Sequence, residues 1–164
     1  VRRSLEQGKP SYVLKRAEGA KVIGADPALI DEIATTTAAT VVVEADGSRG
    51  RPFKAPDDHE PVIPPSATLV VVVVGGDAIG RPIEDACHRP ERVIALTGAE
   101  PHDLVTPDHV AAVVSHPAGG RKNVPPSARL LLAVTKVGPD LQPGVNQIQA
   151  KLPSDITLVA IPRH

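Results

Sequence analysis

Apolar, β-branched runs set the rhythm of the chain. Residues 68–75 (TLVVVVVG) show no alternation of polar and apolar side chains, the pattern of a strand buried on both faces and placed centrally in a sheet. Residues 129–136 (RLLLAVTK) and 156–161 (ITLVAI) predict two further buried strands, and 21–24 a short one. Residues 40–47 (TVVVEADG) read as a fifth strand, which would deliver Glu44 and Asp46 at its carboxyl end. Between these runs lie helix signals. Asp26 caps and Pro27 opens a helix over 28–33; 90–96 and 145–152 carry helical spacing; Thr106 caps and Pro107 starts a helix to residue 115, with Asp108 suited to its dipole. Alternating strands and helices predict an α/β fold with a mainly parallel sheet flanked by helices, a single domain over residues 1–164.

Residues 49–65 (RGRPFKAPDDHEPVIPP) interrupt that alternation. Their prolines forbid regular helix and deny ladder hydrogen bonds, so a long loop is expected, ordered by Phe53, Val62 and Ile63.

Composition narrows the function classes. With 18 basic and 19 acidic residues and a formal charge of -1, there is no electrostatic footprint for nucleic acid. Tyr12 and Phe53 are the only aromatic residues, too few to stack single-stranded bases. Cys87 is the sole cysteine, which excludes an internal disulfide and fits a reducing cytoplasm. The longest apolar stretch, 69–74, is far short of the ~20 residues that cross a bilayer. A chain without Met that opens Val1-Arg2-Arg3 is expected to start inside a longer protein.

The candidate chemistry begins with Glu44 and Asp46. Open α/β sheets place ligands at the carboxyl ends of their strands, and an acid there can hold Mg²⁺, directly or through water. Equally, the two acids can cap the following turn or pair with Arg49, Arg51 or Lys54. The segment 75–82 (GGDAIGRP) follows a strand and has glycines five apart, as a phosphate loop does. It lacks the required Lys and Ser/Thr, having Arg81 and Pro82 instead, so it reads as a structural turn. Thr135-Lys136-Val137-Gly138 is similar to the Asn/Thr-Lys-x-Asp element that reads guanine, with Gly138 in place of the acid. His59, His88, His102 and His116 lack the spacing of a helical zinc site. Cys87 beside His88 raises the question of a reactive thiolate, against the commoner inert thiol.

The string Glu44-Ala45-Asp46-Gly47-Ser48-Arg49, followed by Arg51-Pro52-Phe53-Lys54-Ala55-Pro56 and His59-Glu60-Pro61-Val62-Ile63-Pro64, resembles the selenium-dependent hydroxylase accessory (YqeC-like) family. Similar blocks follow in order at 76–82, 88–91, 96–98 and 106–108, so the resemblance covers about residues 21–136. It implies a P-loop NTPase-like fold, here lacking the first strand and phosphate loop, and a role in maturing selenium-dependent molybdenum hydroxylases with Mg²⁺ and ATP or GTP. By position it implies that Glu44 and Asp46 are metal and nucleotide-sensing acids. Gly47, Ser48 and Arg49 would then begin a switch-like loop beside the nucleotide, with Lys136 as a further cofactor contact. Lys54, His59 and Glu60 would respond to substrate or partner, and His88 with Arg89 would converge on the same cleft, so that Glu44, Asp46, Lys54, His59, His88 and Arg89 are the expected catalytic set.

Three readings stand beside one another. The first is a nucleotide-dependent accessory factor. The second is a non-hydrolytic module that docks a client hydroxylase or a cofactor precursor through the proline-rich loop. The third is an inactive piece of a P-loop fold whose open sheet edge promotes homodimerisation or aggregation.

Overall fold

The computed structural model describes residues 11–19, 21–37 and 39–163 of the chain. The first elements are a small antiparallel hairpin, β1 (Arg16–Glu18) with β2 (Lys21–Ile23), and helix α1 (Pro27–Thr36). Asp26 caps α1 by accepting from the Ala28 N–H at 2.9 Å, with Pro27 in the first turn, as its sequence predicts. The expected strand at 21–24 therefore forms, but in the hairpin and not in the main sheet.

After an irregular stretch come the two-residue strand β3 (Phe53–Lys54) and the valine strand β4 (Leu69–Gly75), the latter running into a 3₁₀ turn at Gly76–Ala78. Helix α2 (Ile83–Ala86), strand β5 (Cys87–His88), helix α3 (Pro90–Thr97) and helix α4 (Pro107–Ser115) follow. The chain then forms β6 (Arg129–Val137), α5 (Gln142–Lys151) and β7 (Ile156–Pro162). Thr106 and His109 complete a capping box on α4, each binding the other's backbone N–H.

Strands β4, β6 and β7 form one parallel sheet in the order β4-β6-β7, and β3 pairs with β5 in a second, two-stranded parallel sheet. The α/β architecture with parallel strands is the one expected. The register places Val70, Val72 and Val74 beside Leu130, Leu132 and Val134, and these beside Ile156, Leu158 and Ala160, on one face. Against that face pack Val93 of α3, Val110 and Val114 of α4 and Val145 and Ile148 of α5, all buried.

Two expectations fail here. First, β4 is an edge strand, paired in a ladder with β6 alone among the described strands, and not a central one. Its alternate residues Leu69, Val71 and Val73 are 43%, 45% and 61% exposed, and across the same face Val159 and Ile161 are 41% and 40% exposed. Parallel sheets are ordinarily covered on both faces. Here the described residues cover one.

Second, residues 40–48 form no strand. A strand is stabilised by neighbours, through ladder hydrogen bonds and side chains packed on a sheet face. Among the described residues no strand pairs with this segment: Val42 is 91% exposed, and the segment is tied across by the Val62 N–H donating to the Ala45 carbonyl at 3.1 Å. Valine propensity without a partner strand leaves the chain irregular.

Candidate functional site

The β3–β5 pairing builds the site. Strand alternation turns Phe53 and Ala55 into the core, 2% and 0% exposed, and leaves Lys54 facing out between them. On the partner strand Cys87 points in, and His88 lies in register with Lys54. Gly75 N–H donates to the Pro52 carbonyl at 2.7 Å, fixing this small sheet to the carboxyl end of β4.

Lys54 gathers three oxygens around one ammonium. Its Nζ lies 3.1 Å from Asp46 Oδ2, 2.7 Å from Glu60 Oε2 and 3.0 Å from the Gly47 carbonyl, with only 13% of the side chain exposed. Glu60 Oε2 also accepts from Arg89 Nη1 at 2.8 Å. Burial pushes the Glu60 carboxyl up, but hydrogen bonds from Lys54 and Arg89 outweigh it and hold the group at about 2.

Arg89 continues the network, its Nε lying 3.2 Å from Asp57 Oδ2. Arg92, on the next turn of α3, pairs with Asp57 at 2.5 Å and with Asp58 at 2.8 Å. Lys122 donates to the carbonyls of Asp57 and Asp58, and Asn123 to that of Pro61 at 2.9 Å. The proline-rich loop is thus pinned from three directions. Among the described residues, Arg49, Arg89, Asn123 and Lys136 are the non-glycine positions with positive φ. Left-handed backbone disfavours arginine and persists where surrounding contacts dictate it. At Arg89, φ is 56°, and the side chain so directed is the one that reaches Asp57 and Glu60.

The structure therefore brings Asp46, Gly47, Lys54, Glu60, His88 and Arg89 together. Burial, then the positive charges of Arg89, Lys54 and Arg49, hold the His88 imidazole below its ordinary range, favouring the neutral ring. Arg49 (φ 51°) and Gly50 (φ 75°) form a left-handed turn closed by the Arg51 N–H donating to the Ser48 carbonyl at 3.0 Å. Glu44 is exposed on the rim. His59 is 72% exposed and stands 3.7 Å from Glu60 and 3.9 Å from Asp57, a loose rim contact. Among the described residues, no group of three or more His, Cys, Asp or Glu is arranged to hold a metal.

Lys136 lies elsewhere. It pairs with Asp77 at 2.8 Å and lines a separate cavity of about 640 Å³ at the carboxyl end of the main sheet, with Thr135, Gly138, Asp140 and Ile161. That cavity includes none of Asp46, Lys54, Glu60 or Arg89. The segment 75–82 is a structural turn, as expected: Gly80 N–H donates to the Val105 carbonyl at 2.9 Å, and Val105 N–H returns to the Arg81 carbonyl at 2.8 Å. Cys87 is 3% exposed, and burial pushes its thiol up to about 12 against a small opposing pull from Arg51, which makes it the inert thiol.

Sequence reasoning overlooked Asp57, Asp58, Arg92, Lys122 and Asn123. Arg92 carried a local signal, since it stands three residues after Arg89 and so on the same helical side. Lys122 and Asn123 carried none, because only the folded chain brings them to the loop.

Comparison with known proteins agrees with the quoted motifs. The family model described as YqeC protein matches residues 1–91. A curated relative, uncharacterized protein YqeC of Escherichia coli (strain K12), is 40% identical over 116 residues, which is 70% of this chain and 45% of the relative. The chain thus spans less than half the length of that relative. No solved structure matches the chain. The matched stretch contains Asp46, Lys54, Glu60 and Arg89 alike, and the chain belongs to the YqeC protein family.

Proposed function

We propose that this chain is part of a nucleotide-dependent accessory factor for selenium-dependent molybdenum hydroxylases, acting where their cofactor is prepared or inserted. The observation that supports the reading is the Lys54 junction. One ammonium joins Asp46, the acid this reading assigns to the metal, to Glu60 and through it to Arg89. A change of charge at Asp46 would be felt by the 54–60 loop and by the start of α3, as a switch requires.

The reading calls for Mg²⁺ with ATP or GTP in a P-loop-like arrangement. The oxygens a hard cation would use, those of the Asp46 and Glu60 carboxylates and the Gly47 carbonyl, are turned onto the Lys54 ammonium, with Glu44 on the rim. When bound, Mg²⁺ would neutralise phosphate charge. Asp46 would hold the ion, Glu44 would contact it through water, and His88, held neutral, would offer a hydrogen bond without adding charge.

Calorimetric titration of Mg-ATP and Mg-GTP into this chain and into the complete Escherichia coli relative tests the reading. It expects saturable binding by the relative and weaker or no binding by an Asp46→Asn form of any chain that binds. Absence of binding in both proteins would reject it and leave the client-docking module as the better account.

A further inference from the structure

The cavity at the carboxyl end of the main sheet takes no part in the Lys54 junction, and its geometry turns on Gly138. That glycine does not have a left-handed φ, so its backbone conformation does not demand glycine. What excludes a side chain is space: a Cβ on Gly138 would stand 2.5 Å from Asp140 Oδ1. The turn over 138–141, closed by the Leu141 N–H donating to the Gly138 carbonyl at 3.0 Å, folds the Asp140 carboxylate back to where a side chain at 138 would lie. That is the place of the acid in the Asn/Thr-Lys-x-Asp element, which Thr135-Lys136-Val137-Gly138 otherwise matches. Among the described residues, the Asp140 carboxylate has no hydrogen-bond or ion-pair partner.

The rest of the cavity is built around the same turn. Between the pairs Val134–Ala160 and Val137–Pro162, β6 has Thr135 and Lys136 where β7 has Ile161 alone, an irregularity of the kind that re-aims side chains beside a site. Lys136 there has a φ of 58°, and its ammonium is held 2.8 Å from Asp77. Ile79, Leu141, Ile161 and Pro162 give the cavity apolar walls, Arg163 adds a second cation, and the volume of about 640 Å³ suits a nucleotide-sized ligand. A flat heteroaromatic ring matches such walls. The free carboxylate offers two acceptor oxygens to paired N–H donors on the edge of that ring, and the cations suit a negatively charged substituent. We propose that this cavity binds a ring carrying the 2-amino-4-oxopyrimidine edge, whose ring N–H and amino N–H are read together by Asp140. Guanine nucleotides and pterins share that edge. The proposal goes beyond the reading of Asp46 and requires no metal.

Nuclear magnetic resonance titrations of the chain without Mg²⁺ test this, using guanosine, adenosine and xanthosine monophosphates and pterin-6-carboxylate. The guanosine nucleotide should bind at least about tenfold tighter than the adenosine one, whose ring nitrogen on that edge is an acceptor, and should shift the backbone amides of Lys136, Gly138 and Ile161. Asp140 is exposed, so Asp140→Asn should fold. That variant should turn the preference towards xanthosine monophosphate, in which a carbonyl replaces the amino group and can accept from the carboxamide N–H. Binding of the pterin without the guanosine nucleotide would make a pterin the ligand, and the reverse would make it a guanine nucleotide; either supports the role of Asp140. Equal affinity for the guanosine and adenosine nucleotides, an unchanged guanosine preference in Asp140→Asn, or shifts confined to residues 46–60 would overturn the proposal. Absence of binding by both the guanosine nucleotide and the pterin would overturn it too, and would leave the Mg²⁺-dependent reading of Asp46 to its own calorimetric test.

Discussion

Lys54 and Arg89 donate to the same carboxylate oxygen, Glu60 Oε2, at 2.7 and 2.8 Å. One from β3 and the other from the start of α3, they make Glu60 the keystone of the site. A carboxylate so placed is costly to protonate.

Acid stability follows. Glu60 titrates at about 2 in the folded chain against about 4.5 when unfolded, so the native state holds the proton less tightly. The stabilisation is fully present above pH ~4.5 and is lost as pH falls towards 2, on the order of 3 kcal/mol at most for this group. Urea unfolding at pH 7, 5 and 3 should therefore fall more steeply for the unmodified chain than for Glu60→Gln, which is less stable at pH 7 and converges with it at low pH. Parallel pH profiles of the two would refute this.

Cys87 is expected to be unreactive in the native state. Its side chain lies behind β3 and its thiol is raised to about 12, so thiolate is scarce at any ordinary pH. Iodoacetamide at pH 8 should label it only on addition of denaturant, at a rate that tracks unfolding. Rapid native labelling would mean that the β3–β5 sheet opens readily.

Gly75 is a third test. A Cβ there would stand 2.7 Å from Pro52 Cβ and 3.3 Å from Pro52 Cα, at the junction where β4 meets the segment leading to Lys54. Gly75→Ala should cost roughly 1–3 kcal/mol by overpacking and should loosen the Lys54 junction as well. Thermal melting measures the first effect, and the acylation rate of Lys54 the second. A variant as stable as the parent would show that Pro52 can shift freely.

What the sequence revealed and concealed divides along physical lines. The Asp26-Pro27 and Thr106-Pro107 starts were legible because capping is local chemistry, complete within one turn. Strand β4 was legible as a strand, since its valines suit only that conformation, but its place was not: the same run fits a central strand or an edge left uncovered. Residues 40–47 failed as a strand because propensity needs a neighbour to act upon. At the site, Asp46, Lys54, Glu60 and Arg89 were legible through family resemblance. The bonds from Arg92 and Lys122 to Asp57, spanning 35 and 65 positions, belong to tertiary structure and leave no local trace. Lys136 was grouped with them because it ends a strand, but strands of one sheet can end over separate cavities.

The uncovered face of the sheet gives the last prediction. Val73 and Val74 are adjacent in β4 and chemically identical, yet Val73 is 61% exposed and Val74 is 1% exposed. Val74→Lys buries an ammonium among Val134 and its neighbours with no acceptor and should cost at least about 4 kcal/mol, enough to prevent folding. Val73→Lys places the same charge in water and should change stability by less than about 1 kcal/mol. Denaturant unfolding of the two variants decides the matter. If Val73→Lys proves as damaging as Val74→Lys, that face is covered in solution, and the valine run reports a second layer, as its sequence alone would suggest. If it is tolerated, β4 is a true edge with one wet face.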